Sequence, residues 1–199
     1  MGRIKSIIFD MGGVILNDKL ESIIKEVAEK LSIDAKEFLY FYSIYKDELQ
    51  KGKKSIKEFC ELTKNKYELN QDVYAIWRAV YEIKMSINTE LLEYIDTLKK
   101  DYNIGVITNT SDLHAEINKS RGIFEHFDVS IISCDVGLIK PDIEIFKLAL
   151  KELKLKASEC IFVDDRKEHL ETAEMMGFSA VHYTDNSTCI ENINKLLTH

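Results

Sequence analysis

The stretch Ile4-Lys5-Ser6-Ile7-Ile8-Phe9-Asp10-Met11-Gly12-Gly13 decides how this chain folds. Its first six residues are rich in β-branched and aromatic side chains, the composition of a buried strand, and the run stops at a carboxylate followed by a glycine pair. Asp10 therefore stands at the carboxyl end of a first strand. Beyond it the period changes. Leu20, Ile23, Ile24, Val27, Ala28 and Leu31 fall at helical spacing, and Asp34 precedes a second stripe through Phe38, Leu39, Phe41 and Tyr42. Ser55-Ile56-Lys57-Glu58 is a capping box ahead of Phe59 and Leu62, and Val73, Tyr74, Trp77, Val80 and Tyr81 give a fourth helix. More than half of the aromatic residues fall between Asp18 and Met85, enough large rings for a helical bundle with its own packing. After a helix from about Thr89 to Lys99, strands are predicted at Ile104 to Thr108, Val129 to Ser133, Cys160 to Val163 and Ser179 to Tyr183, with helical patterns between them. Such alternation implies βαβ units, and hence an α/β fold with a parallel sheet covered on both faces. Residues 1–16 and 87–199 are expected to form the core, with 17–86 inserted as a helical cap.

The 199 residues suit one domain with an insertion. Apolar residues at 45% and charged residues at 31%, with one proline, exclude collagen-like and disordered classes. A net charge of −7 has the wrong sign for gripping nucleic acid by its phosphates. The four cysteines show no metal-finger spacing and read as reduced and mostly buried. No apolar run approaches the ~20 residues of a membrane span, and Ile7-Ile8-Phe9 is too short for a signal-peptide core, so a cytoplasmic chain with no membrane partner is expected.

In a parallel sheet the chemistry gathers at the carboxyl ends of the strands. Those positions hold Asp10, Thr108-Asn109, Lys140 in the loop after the third strand, and Asp164-Asp165. Clustered carboxylates repel and take up protons unless a cation neutralises them, and hard oxygen ligands suit Mg²⁺. With Lys140, the Thr108 hydroxyl and a helix N-terminus near Asn109, such an ion would complement the oxygens of a phosphoryl group. The substrate is then expected to be an anion.

Phe9-Asp10-Met11-Gly12-Gly13-Val14, Ile107-Thr108-Asn109, Gly137-Leu138-Ile139-Lys140-Pro141-Asp142 and Phe162-Val163-Asp164-Asp165 resemble the four motifs of the haloacid dehalogenase superfamily, in order and across essentially the whole chain. The resemblance implies a Rossmann-like core with a helical cap, and a phosphatase working through a phospho-aspartate. It implies Asp10 as nucleophile, Thr108, Asn109 and Lys140 around the phosphate, and Asp10, the Gly12 carbonyl, Asp164 and Asp165 as Mg²⁺ ligands.

Two positions depart from that pattern. Superfamily phosphatases usually carry a second aspartate, the general acid/base, where Gly12 stands. Such a group is worth about 10²–10⁴-fold, so its absence favours good leaving groups, as in sugar 1-phosphates, or a proton supplied by Asp18 or a cap residue. His169 stands where members often have asparagine. His114, His126, His169 and His182 lack ligand spacing, and Tyr42, Tyr45, Trp77 and Tyr81 read as core. Three rival functions are a metal-independent 2-haloacid dehalogenase, which the intact acidic pair argues against, a phosphoacceptor receiver module, in which the acidic pair would come first in the chain, and a catalytically impaired phosphate-binding protein. The expected assembly is a monomer or homodimer.

Overall fold

In the computed structural model, which describes residues 3–198, the first strand β1 (Ser6–Phe9) is buried at every position and lies at the centre of the sheet. It pairs in parallel with β2 (Asn103–Thr108) on one side and β4 (Cys160–Asp164) on the other. Then β3 (Val129–Ile132) adds outside β2, and β5 (Ser179–His182) outside β4, giving the all-parallel order β3-β2-β1-β4-β5. The α/β fold expected from the alternation is present. Strand side chains alternate between two layers, as the pleat requires. Ile7 and Phe9 enter one apolar cluster, Ile8 the other, where it joins Ile107, Phe146 and Phe162.

Between β1 and α5 (Thr89–Leu98) lie four helices: α1 (Leu20–Lys30), α2 (Ala35–Gln50), α3 (Ile56–Lys66) and α4 (Val73–Lys84). Their starts follow local chemistry. Asp34 accepts from Lys36 N and Glu37 N, Ser55 and Glu58 form a reciprocal capping box, and Asp72 accepts from Ala75 N. The remaining helices are α6 (Asp112–Ser120), α7 (Ser133–Val136), α8 (Ile143–Leu153), α9 (Lys167–Met176) and α10 (Asn186–Leu197). Ser133, predicted as a strand residue, opens α7 instead, its hydroxyl exchanging hydrogen bonds with the Thr110 main chain at 2.8 and 3.1 Å.

The four-helix block packs around Phe38, Phe59 and Trp77, whose ring centroids lie 5.7–6.2 Å apart. Its seam with the sheet layer is partly polar. Trp77 Nε1 donates to His114 Nε2 at 2.8 Å, Asn118 Nδ2 to the Tyr81 hydroxyl at 2.9 Å, and Ile56 N to Asp112 Oδ1 at 2.9 Å. The His114 ring stacks on Tyr81 at 4.0 Å. Among the described residues all four cysteines are free, three of them buried, and no helix is long and apolar enough to cross a membrane.

Candidate active site

Parallel strands present their carboxyl ends on one side, so residues far apart in sequence meet there. β1 runs into Asp10, whose N–H donates to Val163 O at 2.8 Å, tying the first acid to the strand that carries the second. β4 ends on Asp164 with Asp165 next, β2 ends on Thr108 with Asn109 next, and Lys140 comes from the loop between α7 and α8.

Lys140 is wholly buried, its Nζ 2.5 Å from Asp10 Oδ1 and 2.7 Å from Asp164 Oδ2. Asn109 fixes the backbone that carries it, donating from Nδ2 to Lys140 O and accepting at Oδ1 from Lys140 N, both at 2.8 Å. Asp164 is fully engaged: Oδ1 accepts from Arg166 N at 2.9 Å, while Oδ2 faces both Lys140 and His169 Nδ1, the latter at 2.9 Å. Asp165 differs. Lys19 Nζ pairs with its Oδ2, yet neither carboxylate oxygen, both buried, accepts a well-directed hydrogen bond.

Burial pushes the Asp10 carboxyl up to about 6, with Lys140 pulling it back down and Asp164 adding to the rise. Burial also works against ionised Asp164, but Lys140 and His169 outweigh it and hold that carboxyl at about 2. On Lys140 burial favours the neutral amine, and the two carboxylates beside it win, so its pKa is raised and it stays an ammonium.

Oxygens of Asp10, Asp164 and Asp165 lie within 4.8 Å of one another. Three carboxylates around one point, the last with a buried Oδ1 that no donor meets and an Oδ2 held only by the mobile end of Lys19, fit a hard divalent cation. Gly13 belongs to the same arrangement, because a Cβ on it would stand 2.9 Å from Asp165 Oδ2.

A cavity of about 320 Å³ opens over these groups, at the small end of the ~300–1,000 Å³ usual for ligand pockets. Asp10, Gly12, Asn109, Asp165, Arg166 and His169 wall it from the sheet side, and residues of α1 and α2 from the other.

The model of the haloacid dehalogenase-like hydrolase family matches residues 4–177. The chain belongs to this family. Among curated relatives of this HAD-like hydrolase, it is 26% identical over 188 residues to D-ribitol-5-phosphate phosphatase of Bacteroides thetaiotaomicron, covering 88% of this chain and 89% of the relative. It is 32% identical over 119 residues to bifunctional epoxide hydrolase 2 of Rattus norvegicus, covering 56% of this chain but only 21% of that much longer protein. Among solved structures, HAD family enzyme bt-2542 from Bacteroides thetaiotaomicron, in complex with magnesium and inorganic phosphate, superposes with a TM-score of 0.75 at 20% identity, over 91% of this chain and 94% of that one.

Of the residues predicted for the site, Lys140 is in direct contact with Asp10 and Asp164, and Asp165 is beside them. Thr108 is buried at the end of β2. Asn109 spends its side chain on the Lys140 backbone. Asp18 does not line the cavity, and its carboxylate faces the Ser22 hydroxyl at 3.4 Å. His169 touches Asp164, a contact its spacing in sequence gave no reason to expect. Lys19, Glu21 and Tyr42 also belong to the site's surroundings. Of these only Tyr42 left a trace in the sequence, as part of an apolar stripe, and that trace reads as core.

Proposed function

We propose that this HAD-like hydrolase is a Mg²⁺-dependent phosphomonoesterase acting on a small phosphorylated metabolite through phospho-Asp10. The observation that carries the reading is Lys140, buried and bonded at once to Asp10 and Asp164, beside an Asp165 whose buried Oδ1 lacks a partner. Asp10, the Gly12 carbonyl, Asp164 and Asp165 would hold the ion. Bound there, Mg²⁺ would neutralise the carboxylates and phosphate oxygens and keep Asp10 ionised at neutral pH.

The chain's own groups then divide the work. Lys140 holds Asp10 Oδ1 and leaves Oδ2 free to attack phosphorus as the bond to the alcohol oxygen breaks and that oxygen takes up a proton. Thr108 and the backbone near Asn109 orient the phosphoryl oxygens, with Asn109 holding Lys140 in place. Water then cleaves the acyl phosphate, releasing inorganic phosphate and restoring Asp10. Arg166 N and His169 keep Asp164 turned toward Lys140.

The test is hydrolysis of 4-nitrophenyl phosphate with and without Mg²⁺, in the native chain and in Asp10→Asn. Turnover is expected only with the ion and with Asp10 intact, and rapid quenching in acid should trap one labelled phosphate on Asp10. Full activity in Asp10→Asn removes the nucleophile. Halide release from a 2-haloacid without Mg²⁺ would favour the dehalogenase instead.

A further inference from the structure

Along α2, Leu39, Tyr42, Ser43, Lys46 and Gln50 recur at helical spacing, and all five wall the cavity. Four of the five are polar. Tyr42 belongs to two environments: its ring stacks on Trp77 at 5.8 Å and meets Phe59 edge-on at 5.5 Å, while its hydroxyl is buried with no hydrogen-bond partner. Buried tyrosine hydroxyls ordinarily have one. Across from it on α1, Glu21 also walls the cavity. Its Oε1 pairs with Arg166 at 3.3 Å, and its Oε2 is likewise buried and unpartnered. A donor and an acceptor thus lie buried within the walls of the same small space, each lacking its complement.

We infer, resting on the phosphatase reading, that Tyr42, Gln50 and Glu21 form the subsite for the alcohol part of the substrate, and that they select a polyol or sugar phosphate over an alkyl phosphate. A secondary alcohol both accepts and donates, so the hydroxyls of a polyol entering between α1 and α2 complement the Tyr42 hydroxyl and Glu21 Oε2, once those side chains turn to meet them. An alkyl chain satisfies neither and leaves both stranded. Gln50, almost completely buried, brings an amide with the same dual capacity to the wall. Leu20, Ile24 and Leu39 supply apolar surface for the carbon faces between hydroxyls. The carboxylate of Glu21 disfavours a second anionic group close to it.

The experiment compares kcat/KM for ribitol 5-phosphate with that for n-pentyl phosphate, which has the same chain length and no hydroxyls, in the native chain, Tyr42→Phe and Gln50→Leu. The polyol should be preferred by at least about tenfold, and that ratio should fall about three- to tenfold in each variant. A ratio near one in the native chain, or a ratio that survives both substitutions while both substrates slow equally, overturns the subsite. Thermal shifts of the Asp10→Asn chain with each phosphate and Mg²⁺ read the same selectivity without turnover. If 4-nitrophenyl phosphate is not hydrolysed, the phosphatase reading falls alone. If the melting temperature then rises no more with the polyol than with the alkyl phosphate, the subsite falls too.

Discussion

Gly12 and Gly13 are neighbours under different constraints. Gly13 has a φ of +82°, in the left-handed region, and a side chain there would collide with Asp165, so both backbone and acid hold this position to glycine. Gly12 has neither constraint: a Cβ built on it meets nothing within 4 Å. Of the two, only Gly13 is held to glycine by the turn. Gly12 thus has room for a side chain at the cavity wall, and on the phosphatase reading it is where a general acid is missing. Gly12→Asp should fold and should speed the release of alkyl alcohols by up to about 10²–10⁴-fold, with far less gain for aryl leaving groups. The measurement is kcat across esters of graded leaving-group acidity. An unchanged dependence on that acidity would mean that protonation of the leaving oxygen does not limit turnover. Lys140 illustrates the opposite case, a residue whose constraint is electrostatic. Without its two carboxylates, burial would push the pKa of so deep a lysine down, toward the neutral amine.

At the scale of elements, α2 explains both how far sequence reading reached and where it stopped. The Asp34 cap and the 3.6-residue period were sufficient to place the helix, because both are local. Which edge of its stripe meets protein and which meets the cavity depends on how α1 and α4 dock, so Tyr42 reads as core although it also lines the cavity. The same division holds elsewhere. Asp10 and Asp164 were legible because each ends an apolar run, whereas His169 matters only through the face that α9 turns toward Asp164. Ser133 was misplaced because bonds from its hydroxyl to the Thr110 main chain outweigh strand pattern. The far end of α2 shows a constraint of a third kind. Gly52, at φ +66°, turns so close to α7 that a Cβ would stand 2.2 Å from Cys134 O. Gly52→Ala should lower stability by more than about 1 kcal/mol, read as a lowered denaturant midpoint. Unaltered stability would show that this turn yields freely.

Across the whole molecule, one apolar cluster runs from Ile7 and Phe9 of β1 through Val27 and Phe38 to Trp77, so the four-helix block and the sheet share a core. His114 sits in their seam, and burial pushes its pKa down to about 3 from 6.5. In the unfolded chain the imidazole takes up a proton below about 6.5; in the folded chain it does so only near 3. Between those values the unfolded state binds more protons, so this residue's contribution to stability shrinks as pH falls through the window, by up to about 1.4 kcal/mol per pH unit. Calorimetric melting from pH 7 to 4 should show a steeper loss in the native chain than in His114→Gln, whose amide can still accept from Trp77. Parallel curves would place the acid sensitivity elsewhere.

Trp77 is the chain's single tryptophan, hydrogen-bonded to His114 on the sheet side and stacked on Tyr42, the ring that walls the cavity. The protein therefore carries one indole emitter, which can be excited apart from the tyrosines, a single ring away from the cavity and at the joint between its two layers. Its emission can follow occupancy of the cavity and separation of the layers without an attached dye.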